Sequence, residues 1–325
     1  MTNNSEIGVL VQNVSKIYGV CKPFVALDNI SFKIKRGDVL GLLGHNGAGK
    51  TTLIKILTTL LEPTFGKVVV NGFDLCENPT MIKYEVGYMT QDISLDPNLT
   101  VGKTLQLQSM YYGIFNNKKR IDYLLGIIDL FKERDVVVRK LSGGMKRRLM
   151  IAKALVHNPS IVILDEPTVG IDITIKEKII SAVKILRDEG KTVILTTHSF
   201  DEVQQLCTLV SVLQDGKQVY FNTIEAVQKT ITQDIITFTL DVNTSATDHN
   251  KALQHLKNKG FILDKHIVND KSSEKIITLK NNSYSIEIVL SLLAQAKIPI
   301  LRVDQPSVNI VHAIENLMRK YTKMA

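Results

Sequence analysis

The sequence predicts an α/β fold with a parallel sheet, followed by a smaller α+β domain, and three observations carry this. A strand-like run, VLGLLG, feeds a glycine-rich loop that opens into the helical run TTLIKILTTLL. Two short continuous apolar runs, IVILDEP and TVILTTHS, flank the helical stretch IKEKIISAVKILRDEG, as parallel strands buried on both faces read. Beyond about residue 222 the order becomes β-α-β-β-α-β, the split βαβ or ferredoxin-like arrangement.

Taken in order, GVLVQNVSKIYG and NISFKIKRGDVLGLLG alternate with period two and predict strands leading into the loop. Pro63 and Gly66 end the helix after it, and KVVVNGFDL predicts a strand pair turning at Asn71-Gly72. From about residue 98 to 140 the period is helical, in VGKTLQLQSMYYGIF and RIDYLLGIIDLFKERDV, which predicts an inserted helical subdomain. In the last part DIITFTLDV, FILDKHIV, EKIITLK and IPILRVD predict strands. DHNKALQHLKNKG, SYSIEIVLSLLAQAK and the closing SVNIVHAIENLMRKY predict helices.

A chain of 325 residues suits one large core and one smaller one. Its net charge of +8 is spread over both parts, with Lys/Arg against Asp/Glu at 28 to 23 over residues 1–233 and 12 to 9 beyond. Neither part is a basic arm, so direct nucleic-acid binding is not expected. Cys21, Cys76 and Cys207 are isolated, which argues against a disulfide framework or a zinc site and for a reducing cytosol. No secretory signal is read at the start, and the best candidate for a membrane span, IEIVLSLLAQAKIPIL, is shorter than about 18 apolar residues and contains Lys297.

The chemistry centres on Gly44-His45-Asn46-Gly47-Ala48-Gly49-Lys50-Thr51, which fits G-x-x-x-x-G-K-[ST] at every fixed position and continues with Thr52. Glycines let the backbone N–H groups turn toward phosphates, and the following helix aims its positive end at them. Lys50 suits the β- and γ-phosphates, and the Thr51 hydroxyl suits Mg²⁺. IVILDE puts Asp165 and Glu166 at the end of a buried strand, where an Asp can hold Mg²⁺ and a Glu can take a proton from an attacking water. A second glycine pair lies in Leu141-Ser142-Gly143-Gly144-Met145, directly before the helical run MKRRLMIAKALVHN. Ser142 then sits near a helix N-terminus with free N–H groups, a second anion site. One chain already surrounds the phosphates from one side, so the natural client of LSGGM is the γ-phosphate held by another copy.

Glycine loop, Gln91 in YMTQD, LSGGM, ILDEP, VGID and TTHS stand in an order that resembles the nucleotide-binding subunit of ATP-binding cassette (ABC) transporters, over residues 5 to about 222. The fold so implied is a P-loop NTPase (RecA-like) core over residues 1–222. It carries an N-terminal antiparallel β subdomain and a helical subdomain at about 92–158, followed by a small C-terminal α+β domain over 223–325. The resemblance implies ATP and Mg²⁺ as ligands, with Tyr18 stacking on adenine and Gln91 sensing metal, water and the membrane subunit. It assigns Asp165 to Mg²⁺ through water, Glu166 to the catalytic base and His198 to the γ-phosphate, and it implies a head-to-tail dimer. Asp172 belongs to the inter-subunit loop, where Ile173 follows in place of the proline of most relatives. The segment DQPSVNIVHAIENLMRK is similar to the close of ATPase subunits of drug, antibiotic or sodium exporters.

The resulting expectation is an ATP hydrolase on the cytoplasmic face of the membrane, a homodimer docked on separately encoded polytopic permease subunits and powering export. The alternatives are a soluble cassette ATPase acting on nucleic acid or ribosomes, and a P-loop small-molecule kinase, which leaves LSGGM without a role.

Overall fold

The computed structural model describes residues 6–19, 21–197, 199–227, 235–240, 254, 262–269, 274–280, 290–291, 294 and 300–304. The chain divides into two compact units, Met1–Ile224 and Glu225–Ala325.

In the first unit, β1 (Ile7–Tyr18) and β2 (Phe24–Lys35) form a long antiparallel pair. On β2, buried Ile30, Phe32 and Ile34 alternate with exposed Ser31, Lys33 and Lys35, the period of a strand with one wet face. β3 (Val39–Leu43) then enters the core. β4 (Phe65–Val70) pairs with β1 and turns into β5 (Phe73–Asp74) at Asn71 and Gly72, both at positive φ, as the Asn-Gly signal predicts.

β3, β6 (Val86–Met89), β7 (Ile161–Asp165) and β8 (Thr192–Thr196) run parallel, and every residue of β3, β7 and β8 is buried. β9 (Leu209–Gln214) pairs parallel with β3 and turns into β10 (Lys217–Thr223). β10 meets β2 through the single pair Lys217 with Asp28. That pairing joins everything into one ten-stranded sheet of order β5-β4-β1-β2-β10-β9-β3-β8-β7-β6. The antiparallel N-terminal strands are therefore one side of the same sheet as the parallel core. A single bridging register explains why the periodicity does not reveal the join.

Helices α1 (Lys50–Leu57), α2 (Pro79–Glu85), α6 (Ile173–Asp188) and α7 (Phe200–Leu206) connect these strands. Between β6 and β7 lie α3 (Val101–Tyr111), α4 (Lys118–Ile127) and α5 (Gly143–Leu155), with only an isolated bridge, Thr100 to Val137, outside named strands. α4 stops well short of the helical period in RIDYLLGIIDLFKERDV. Asp129 turns to φ 52°, and the Arg148 guanidinium of α5 donates to the freed carbonyls of Ile128 at 2.6 Å and Asp129 at 2.8 Å. Leu40, Leu42, Leu53, Ile54 and Ile163 are buried in the main core cluster, which sets the glycine loop between β3 and α1 at the rim of a rigid base.

In the second unit β11 (Ile235–Leu240), β12 (Ile262–Asn269), β13 (Glu274–Lys280) and β14 (Ile300–Asp304) form an antiparallel sheet of order β12-β13-β11-β14. These match the four strands expected there. The three helices expected in this part lie outside the described residues, apart from helical residues 254, 290, 291 and 294. No helix among the described residues is long and apolar enough to cross a membrane.

Candidate functional site

The loop after β3 owes its path to glycine. Gly49 sits at φ 102° as the N-cap of α1, and a Cβ there would lie 2.8 Å from the Ala26 carbonyl oxygen. Gly47, at φ 85°, faces open space, so the backbone is bare where a ligand would approach. Lys50 is buried, and its Nζ donates to the carbonyls of Gly44 at 2.6 Å and His45 at 3.2 Å. Burial lowers its pKa, and the charges of Glu166 and Asp165 oppose that shift.

The two carboxylates follow from the end of β7. Asp165 is 3% exposed, and burial raises its pKa, with the Glu166 charge adding to the effect; the Thr196 hydroxyl, Lys50 and Tyr88 work against it. Tyr88, on β6, is itself pushed up to about 12, first by burial and then by Asp165. Glu166 turns out of the strand at φ 47°, a left-handed conformation that costs a non-glycine residue and persists only where its surroundings hold it. Its backbone N–H donates to Thr196 Oγ1 at 2.8 Å, and its Oε2 accepts from Gln91 Nε2 at 2.9 Å.

One cleft of about 450 Å³ is lined by Tyr18, Phe24, Ala26, residues His45 to Thr52, Gln91, Asp165 and Glu166. Residues far apart in sequence thus line one cleft. Neither the Leu141–Met145 segment nor Asp172 lines it. Ser142 is the exposed N-cap of α5, its Oγ accepting from Met145 N at 3.2 Å, while Leu141 is buried. Gly143 stands open, whereas a Cβ on Gly144 would lie 2.2 Å from Ile175 Cδ1 of α6. Asp172 caps α6 through Ile175 N at 2.9 Å, and Ile173 beside it is 77% exposed. His198 lies outside the described residues. Next to it, Thr197 donates to buried Glu202 at 2.7 Å, and Glu202 also binds Thr168 and Lys176, tying this segment to the turn after Glu166.

Sequence reasoning missed Phe24, Tyr88 and Thr196. Phe24 pairs with Tyr18 across β1 and β2, so it could have been found by registering the two strands. Thr196 stood in the quoted TTHS, but nothing in the pattern distinguished its hydroxyl.

A family model for the ABC transporter matches residues 27–169. The Nod factor export ATP-binding protein I of Cupriavidus metallidurans is 36% identical over 211 residues, 64% of this chain and 69% of the relative. The chain belongs to the ABC transporter family. The linearmycin resistance ATP-binding protein LnrL of Bacillus subtilis is 36% identical over 65% of this chain and 68% of its own. For the ABC transporter ATP-binding protein NatA of the same organism the figures are 35%, 62% and 83%. Among solved structures, a dimeric post-hydrolysis ATP-binding cassette bound to ADP and Pi is similar at a TM-score of 0.62 and 29% identity. That match covers 66% of this chain and 98% of the cassette. The chain is an ABC-type, transport-coupled ATP hydrolase, and the ATP-binding cassette fold is that of its first unit.

Proposed function

We propose that two copies of this chain close head to tail around two ATP molecules and so power export through separately encoded membrane permease subunits. The observation that carries this reading is the division of the anion-binding parts. Lys50, Gln91, Asp165 and Glu166 share one cleft, while the exposed helix N-terminus at Ser142 and Gly143 lies outside it. A second copy is what such a leftover half-site fits. The relatives are named for export of Nod factor and for linearmycin resistance, which supports export and a location on the cytoplasmic face of the membrane. A soluble ATPase acting on nucleic acid is not favoured by any of these relatives.

In this reading Tyr18 and Phe24 take the adenine face, and the amides of residues 45–52 with the Lys50 ammonium hold the phosphates. Glu166, held by Gln91, takes a proton from water as the water oxygen attacks the γ-phosphorus and ADP leaves. The partner's Ser142 and Gly143 complete the cage around the γ-phosphate. No group of three or more His, Cys, Asp or Glu suited to a metal exists among the described residues. Thr51 and Asp165, hard oxygen donors lining one cleft, fit Mg²⁺ that takes its remaining ligands from phosphate and water. Bound there, Mg²⁺ would neutralise phosphate charge. For the second unit, the sheet order β12-β13-β11-β14 supports a ferredoxin-like accessory domain; its place outside the nucleotide cleft suits it to stabilising the dimer.

The test is complementation. Ser142→Arg and Lys50→Ala chains should each hydrolyse ATP poorly alone. Mixed, their heterodimer keeps one intact composite site and regains activity. No gain on mixing would contradict a site built from two chains.

A further inference from the structure

The geometry points to Arg147 as a positioning residue that couples the two nucleotide sites of the dimer. This rests on the head-to-tail reading above. Arg147 lies on α5, and its guanidinium donates to the backbone carbonyl of Gln91. Further along the same helix, Lys153 Nζ donates to the Ser94 carbonyl at 2.9 Å, so α5 grips the segment Gln91 to Ser94 at two points. The side chain of Gln91 meanwhile donates to Glu166 Oε2 at 2.9 Å.

A hydrogen-bonded path therefore runs from the carboxylate beside a chain's own γ-phosphate position, through both ends of Gln91, to Arg147. From Arg147 to the start of α5 is about 1.5 Å of rise per residue of stiff helix. That start is Ser142 and Gly143, which serve the neighbour's nucleotide. A displacement of Glu166 or Gln91 in one site moves the signature segment of the other. A bare lysine at 147 has one point charge where the guanidinium offers a planar fork of donors, so it would hold the carbonyl less firmly. By linkage the effect is reciprocal: each nucleotide changes the affinity for its twin by the same factor.

The experiment compares the full-length wild type with Arg147→Met and Arg147→Lys, following hydrolysis against ATP concentration alongside thermal melting and single-nucleotide affinity. The wild type should show a Hill coefficient above 1, with about 2 the ceiling for two sites. Arg147→Met should bring it toward 1 with the melting temperature and single-nucleotide affinity kept, and Arg147→Lys should recover part of the cooperativity. If Arg147→Met does not fold, Arg147→Gln, too short to reach the carbonyl, should give the same loss. Wild-type cooperativity in the folded Met or Gln variant overturns the relay, as does a wild type that hydrolyses ATP with a Hill coefficient of 1. Both outcomes leave the nucleotide site intact as a reading. No gain in hydrolysis on mixing Ser142→Arg with Lys50→Ala chains would instead overturn the head-to-tail reading and the relay with it.

Discussion

Thr196 and Asp165 face each other across neighbouring parallel strands, and the Thr196 hydroxyl donates to Asp165 Oδ1 at 2.6 Å. Thr196 Oγ1 in turn accepts the Glu166 backbone N–H at 2.8 Å. One buried hydroxyl thus fixes the Asp165 carboxylate, the proposed Mg²⁺ ligand, and the strained turn that aims the proposed base.

Thr196→Val keeps the shape and removes the hydroxyl, leaving a buried N–H without its acceptor at a cost of about 1–3 kcal/mol. The melting temperature should fall by on the order of 5 °C for a unit of this size. Hydrolysis should drop by roughly tenfold, as about 1.4 kcal/mol of lost positioning in the transition state implies. Thr196→Ser should stay near wild type in both. Calorimetry and phosphate release on the three purified proteins check this; an unaffected Val variant would show that Glu166 holds its turn without Thr196.

A second prediction concerns pH. His157 stacks on Tyr112 with ring centroids 3.7 Å apart, and burial, with Lys191 and Arg120 nearby adding, lowers its pKa to about 4. The folded value lies below the ordinary 6.5, so the unfolded chain binds the proton first and stability falls as pH drops from 6.5 toward 4. His157→Phe keeps the stacked ring and cannot take the proton. Its melting temperature should therefore decline less than that of the wild type over that window, with hydrolysis at neutral pH unchanged. Parallel pH profiles of the two proteins would contradict a neutral, half-buried His157.

How much of this was legible depended on whether chemistry or packing set each feature. The glycine loop between β3 and α1 and the Asp165-Glu166 pair at the end of β7 could be placed because both are fixed residue types standing directly after buried apolar runs. β6 could not. It spans four residues and contains Gly87, where a Cβ would lie 2.2 Å from the Ala154 carbonyl oxygen, so α5 rather than strand propensity decides that residue. The early end of α4 has the same cause, since Arg148, distant in sequence, supplies the donors that cap it. The roles of Thr196 and Arg147 are equally tertiary. Their partners come from another strand or loop, and no periodicity reports that.

The last prediction separates binding from chemistry at Glu166. Its Oε2 accepts from Gln91 Nε2, and an amide oxygen at the same place can accept that hydrogen bond too. Glu166→Gln should then keep the turn, the cleft and the affinity for ATP. What it loses is the ability to take a proton from water, so turnover should fall by roughly 10²-fold or more. The loss should appear in the maximal rate, because the proposed ground-state contacts to nucleotide come from the loop and Lys50. Phosphate release under saturating ATP, set beside a fluorescent-nucleotide titration, measures the two quantities separately. Near-normal hydrolysis by the purified variant would remove Glu166 from the role of base, whereas lost ATP binding would mean that the carboxylate supports the cleft itself, through its charge on Lys50.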